Sequence, residues 1–251
     1  MTSLAVWLGT LILYLPTPHG AYVSADSRHD GGDPARRDEA RKIFLCGRAA
    51  VCAISGGLRF EAVSESGKGT LDLAEEASAK LLATDTEEAV PPAVLAAEVR
   101  TALESGIVAF WEQHLAGRRV AAPLSLRLGA PSMATILIAA RDAGGAMALA
   151  QMQFPFTERR LPDGTWQHEL RPPALRWQDA ARPLAQGRGD CMRIAPDQAP
   201  EVATREDALS TLNNLYTRTQ EVEFCRNIIG GEVDIAVVEP EGGARWLRRK
   251  K

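Results

Sequence analysis

The chain is poor in the residues that build metal and redox sites. In 251 residues it has four cysteines, four histidines and only 6% aromatics. The cysteines (Cys46, Cys52, Cys191, Cys225) show no C-x-x-C spacing, which excludes a zinc ribbon or a thioredoxin-type motif. Cys46 and Cys52 lie in apolar, strand-like runs and read as small core residues, not as a disulfide. The histidines (His19, His29, His114, His168) are scattered and make no H-E-x-x-H. His114 closes a helical stretch and reads as a surface or cap residue. No metal or cofactor is expected. An excess of positive charge is also missing. Lys and Arg total 29 against 32 Asp and Glu, for a net charge of −3, which argues against a nucleic-acid partner. Nor is there a long apolar run. Residues 4–15 are uncharged but fall short of the roughly 20 residues of a membrane-spanning helix. No stable membrane span is expected, and with no Lys or Arg before it the run is weak as a secretion signal.

What is present is enough apolar residue, 45% in all, for a sizeable core without metal or disulfide support. Strand and helix patterns alternate in blocks. Residues 11–15 and 21–27 read as a hairpin across a five-residue loop at 16–20. Residues 42–46 and 50–55 are further strands, the second closed by Gly56 and Gly57. Helical spacing follows at 71–83 and 92–115, the second opened by Pro91 and Pro92. Residues 133–140 and 146–154 form a hairpin around a Gly-rich turn. The Pro-rich stretch 155–203 has a weaker pattern, with a strand expected near 166–170. A helix over 205–224 starts at Thr204, with Asp207 placed for a capping box, and a strand at 233–238 pairs with 245–247. Strands and helices in blocks predict an α+β fold with two stacked antiparallel sheets between helix layers, and disfavour a doubly wound parallel sheet.

One constellation carries chemistry. Gly9 precedes Thr10. Asp26 ends the second strand of the first hairpin, in Ala-Asp-Ser-Arg. Lys42 starts the next strand, in Arg-Lys-Ile, and Gly56 follows in Ser-Gly-Gly. Thr10 to Asp26 and Asp26 to Lys42 are each sixteen residues, and Gly56 follows Lys42 by fourteen. A threonine hydroxyl needs a base. A free α-amine, with an ordinary pKa near 7.7–8.0, can be that base if the threonine is N-terminal. A neighbouring lysine tunes the amine and the hydroxyl, a buried lysine needs a carboxylate, and a glycine amide can face a tetrahedral oxyanion.

These intervals, with residues 20–28, 41–44 and 50–57, resemble the proteasome β-subunits and their bacterial peptidase relatives, which are N-terminal-nucleophile hydrolases. The resemblance covers about the first 57 residues, and residues 229–238 look like the family's late strand. It implies a four-layer αββα sandwich and a threonine peptidase acting through an acyl-enzyme ester. It implies Thr10 as nucleophile, Lys42 and Asp26 beside it, and Gly56 as an oxyanion donor. Residues 1–9 then become a propeptide or targeting segment that Thr10 removes, and 10–251 a single domain. Thr2 is the alternative nucleophile, although it lies twenty-four residues from Asp26. The resemblance further implies a peptide or protein substrate, a homo-oligomer and a cytoplasmic location, or export if residues 1–20 act as a signal.

The departures define the alternatives. Arg226 and Ile229 stand where the family has an orienting Asp and Ser, and Arg188, between Gly187 and Gly189, stands where it has a Ser. Asp190 is the nearby residue that could compensate. A catalytically silent structural or binding subunit is one competing reading. A small-molecule amidase or acylase on the same fold is the other.

Overall fold

The computed structural model describes residues 2–9, 11–30, 40–81, 90–187, 191, 202, 204–241 and 243–249. The fold is mixed α and β, with two antiparallel sheets. The larger has nine strands. Its main path is β10 (Trp166–Leu170), β9 (Met147–Arg160), β8 (Ser132–Arg141), β6 (Ala50–Ser64), β1 (Ser3–Gly9) and β4 (His29–Asp30). Strand β11 (Ala174–Gln178) adds to β9, and β5 (Ile43–Leu45) and β7 (Gly67–Asp72) add to β6. The second sheet runs β12 (Leu184–Gly187), β2 (Leu11–Thr17), β3 (Gly20–Asp26), β13 (Val233–Glu239) and β14 (Gly243–Arg248).

Period-two alternation sorts each strand between two apolar clusters. Ile12, Tyr14, Val23, Val51, Ala53, Leu137 and Ala236 form one cluster drawn from both sheets. The other face of the large sheet packs on α1 (Leu73–Leu81), α2 (Pro92–His114) and α3 (Leu124–Leu128), where Leu95, Val99, Leu103 and Ile107 of α2 are buried. Leu11, Leu13 and Tyr22 of the second sheet pack instead on α4 (Arg205–Glu221) and the short α5 (Glu223–Arg226). Helix α4 starts on the expected capping box, with Thr204 and Asp207 each accepting from the other's backbone N–H.

Several expectations are corrected. All four cysteines are paired, Cys46 with Cys52 and Cys191 with Cys225. The first pair closes the β5–β6 hairpin, whose register sets Phe44 opposite Cys52; only the hairpin makes them neighbours. Strand β6 does not stop at Gly56–Gly57. It passes through a bulge, at which Trp7 pairs with Arg59 and Leu8 with Gly57, and pairs with β7, which runs through the polar stretch that precedes the helix; α1 then starts at Leu73, two residues after the expected 71. The first hairpin turn is tighter than five residues, since β2 and β3 continue to Thr17 and from Gly20. Residues 4–15 are not one element but parts of two strands in different sheets. His114 is buried, not at the surface; its ring lies where a side chain on Gly69 would sit.

Candidate active site

Strand β1 ends at Gly9 in the nine-stranded sheet, and β2 begins at Leu11 in the other. Thr10, the predicted nucleophile, falls between them and lies outside the described residues. So do Arg188 and Asp190.

The long strand β6 organises what surrounds this crossing. Its residues 50–56 pair with β8, residues 51–53 also pair with β5, and Gly56 also pairs with Gly9 of β1. A strand has two edges, so β5 and β1 lie in line along the edge opposite β8. The Ile54 N–H donates to the Lys42 carbonyl at 2.8 Å, which extends the β5 row by one residue. Lys42 therefore lies opposite Ile54 and Gly9 opposite Gly56. One β6 position, Ser55, separates them. Gly56 has φ +85°, in the region that favours glycine.

The Lys42 side chain leaves its row and meets Asp26, the last residue of β3. Nζ lies 2.8 Å from Asp26 Oδ1, and both side chains are fully buried. Two charges taken out of water are stable only if their remaining hydrogen-bonding groups are also satisfied. Here they are well supplied. Lys42 Nζ also donates to the Arg28 carbonyl. Asp26 Oδ1 accepts from the Leu11 N–H at 3.2 Å, and Oδ2 accepts from the Gly230 N–H at 3.1 Å. The Arg28 guanidinium lies over Gly230, so close that a Cβ there would meet it, and donates to the Arg226 carbonyl. The Arg28 N–H in turn donates to the Gly230 carbonyl at 3.0 Å.

The structure thus brings together Asp26, Lys42 and the backbone of Gly9, Leu11 and Gly56. Thr2 is elsewhere, at the opposite end of β1, roughly 24 Å from Gly9 at the usual strand rise. It is buried, its N–H donates to the Arg119 carbonyl and its Oγ1 to the His114 carbonyl. Arg226 and Ile229, the departures from the expected pattern, act here through their chain. The Arg226 carbonyl holds Arg28, while Ile229 is buried under α4. Tyr216 on α4 donates to Ser24 Oγ at 3.4 Å, and burial with the Asp26 charge nearby pushes its hydroxyl pKa well up.

Sequence reasoning missed a second polar group at this crossing, made by Ser55, Gln186 and Gln151. Gln186 is buried; its Nε2 donates to Ser55 Oγ at 2.6 Å and to the Thr135 carbonyl at 2.9 Å. No local signal marks a single glutamine in a Pro-rich stretch. Only the pairing of β12 with β2 places it here.

Among the described residues, no group of three or more His, Cys, Asp or Glu could hold a metal ion. No helix among them is long and apolar enough to cross a membrane. No protein-family model matches the chain, and no curated protein sequence matches it.

Proposed function

We propose that this chain is a proteasome-like N-terminal threonine hydrolase that cleaves amide bonds, on a four-layer αββα sandwich. The observation that carries the reading is the buried Asp26–Lys42 pair. Through the Leu11 amide it is tied to the place where the chain crosses between the sheets, with Gly56 opposite Gly9.

In maturation, Thr10 Oγ attacks the Gly9 carbonyl carbon. The hydroxyl proton passes to a base and the Gly9–Thr10 C–N bond breaks. An ester remains, and the Thr10 nitrogen becomes a free amine. Water hydrolyses the ester, leaving a Gly9 carboxylate and restoring the hydroxyl. In turnover, the amine takes the hydroxyl proton as Thr10 attacks a substrate amide, then delivers it to the leaving amine; water hydrolyses the acyl-enzyme ester that remains, releasing the acid and restoring the hydroxyl. The Lys42 ammonium favours the deprotonated forms of both groups, and Asp26 keeps that ammonium buried and fixed. An amide from Gly56 facing the tetrahedral oxygen contributes on the order of 3 kcal/mol to the barrier in comparable sites. The partners that follow are a peptide or protein substrate and further copies of the chain. Four paired cysteines favour an oxidising compartment, and so the exported alternative over the cytoplasm.

A silent structural subunit is the second reading, and β1 favours it. Seven residues of β1 pair with β6, and Leu4 and Leu8 are buried, so the segment to be removed is a seated strand.

Intact mass and N-terminal sequencing of the purified protein separate the two. A start at Thr10, abolished by Thr10→Ala, is the expected result. An uncut Gly9–Thr10 bond selects the silent subunit.

A further inference from the structure

We propose that Gln186 is a positioning residue that sets the spacing between the strand entering at Leu11 and the strand carrying Gly56; the inference rests on the hydrolase reading above. Gln186 belongs to β12 in one sheet, and its hydrogen bonds go to three strands of the other. Nε2 donates to Ser55 Oγ on β6 and to the Thr135 carbonyl on β8, and Oε1 accepts from Gln151 Nε2 on β9 at 3.0 Å. The orientation of the amide is fixed by its partners. A backbone carbonyl only accepts, so the NH2 must face Thr135 and the oxygen must face Gln151. Gln178 Nε2, at 3.4 Å from Gln151 Oε1, continues the chain of amides toward the sheet edge.

The two ends of this tie are the two strands the chemistry has to align. On its own side, Gln186 pairs with Ile12 and Gly187 with Leu11, whose N–H is bound by Asp26. On the far side, Ser55 immediately precedes Gly56. Apolar packing sets the sheet separation farther along, through Val51, Ala53 and Leu137. At Gln186, beside Ile12 and Ala25 of the same cluster, directional bonds join the two sheets as well. A displacement of 1 Å between reacting groups is enough for a loss of about 100-fold.

The test uses the full chain and its self-cleavage at Gly9–Thr10. That reaction is intramolecular, so a changed rate cannot come from weaker substrate binding. Gln186→Met keeps the length and removes every hydrogen bond; it is expected to slow cleavage about 10- to 100-fold. Gln186→Glu is expected to be slow at neutral pH and to recover in acid, where the protonated carboxyl again donates, a profile that a loss of packing would not give. Ser55→Ala removes one bond of the tie and serves if the Met variant does not fold. In parallel, amide exchange at Leu11 and Gly56 is followed by NMR in the Thr10→Ala background, with and without Gln186→Met. Faster exchange at both amides supports the role. Unchanged cleavage in Gln186→Met overturns it. If the wild-type chain does not cut itself, the hydrolase reading fails on that result, and unchanged exchange at Leu11 and Gly56 then overturns the positioning role separately.

Discussion

The two ends of the space between the sheets are built from the same strands and differ in chemistry. Along β6, the inward row reads Val51, Ala53, Ser55. Along β8 it reads Ala139, Leu137, Thr135, and along β13 Val238, Ala236, Asp234. Three strands turn from apolar to polar at the same end, where Gln186 bonds Ser55 and Thr135 and where β3 ends at Asp26. At the apolar end, surface area holds the sheets together and tolerates small shifts. At the polar end, directed bonds such as those from Gln186 to Ser55 and Thr135 join them as well. The difference separates residues that make the fold from residues of the candidate site.

That contrast can be broken most severely at the ion pair. Lys42→Ala leaves the Asp26 carboxylate buried without its counter-charge, and an unfolding loss of about 3–5 kcal/mol is expected by chemical denaturation. Self-cleavage is expected to disappear with it. The double variant Asp26→Asn with Lys42→Met is expected to recover most of the stability and none of the cleavage. A Lys42→Ala chain that unfolds like wild type would show that the pair is not buried in solution.

A smaller effect belongs to the apolar end. Leu137→Ala deletes buried methyl groups and is expected to cost about 3 kcal/mol. Its cleavage rate at a temperature where the chain stays folded is expected to match wild type within a few-fold. A rate lowered as far as in Gln186→Met would erase the distinction between the two ends.

The smallest effect is a titration away from this space. His114 and His168 are buried beside the helix-facing cluster, and burial lowers both pKa values; Arg118 lowers that of His114 further, while Glu158 partly raises that of His168. His168 Nε2 accepts from the Leu124 N–H at 3.2 Å, an acceptor that protonation removes. The folded pKa lies below the unfolded value of about 6.5, so between the two the unfolded chain binds more protons. Stability is therefore expected to be full above that value and to fall as pH drops through it. A melting series from pH 7.5 to 5 checks the sign, and His168→Gln is expected to flatten the slope.

The candidate site was legible in the sequence where it rests on the resemblance. The intervals of sixteen, sixteen and fourteen residues, through their resemblance to the proteasome β-subunits, set Asp26 beside Lys42, and the structure brings those two side chains together. The α2 stripe and the Thr204 cap were equally readable, since both are local. What was not legible is set by register between distant strands. Nothing near Gln186 announces Ser55, 131 residues away. The Cys46–Cys52 bridge is invisible until β5 and β6 pair, and the Gly56–Gly57 doublet reads as a turn until β1 covers it. Strand β1 itself was read as a segment to be discarded, because its place in the large sheet depends on residues 56–63.

That place has a consequence for the proposed cleavage. While the Gly9–Thr10 bond is intact, tethering gives β1 a high effective concentration beside β6. Under the proposed cleavage, the segment that ends at Gly9 becomes a peptide ligand, retained only by its own affinity. The stability of the cut protein then depends on dilution, as it does for any complex. Below the dissociation constant the strand leaves and an edge of β6 is exposed, a surface prone to pair with another chain.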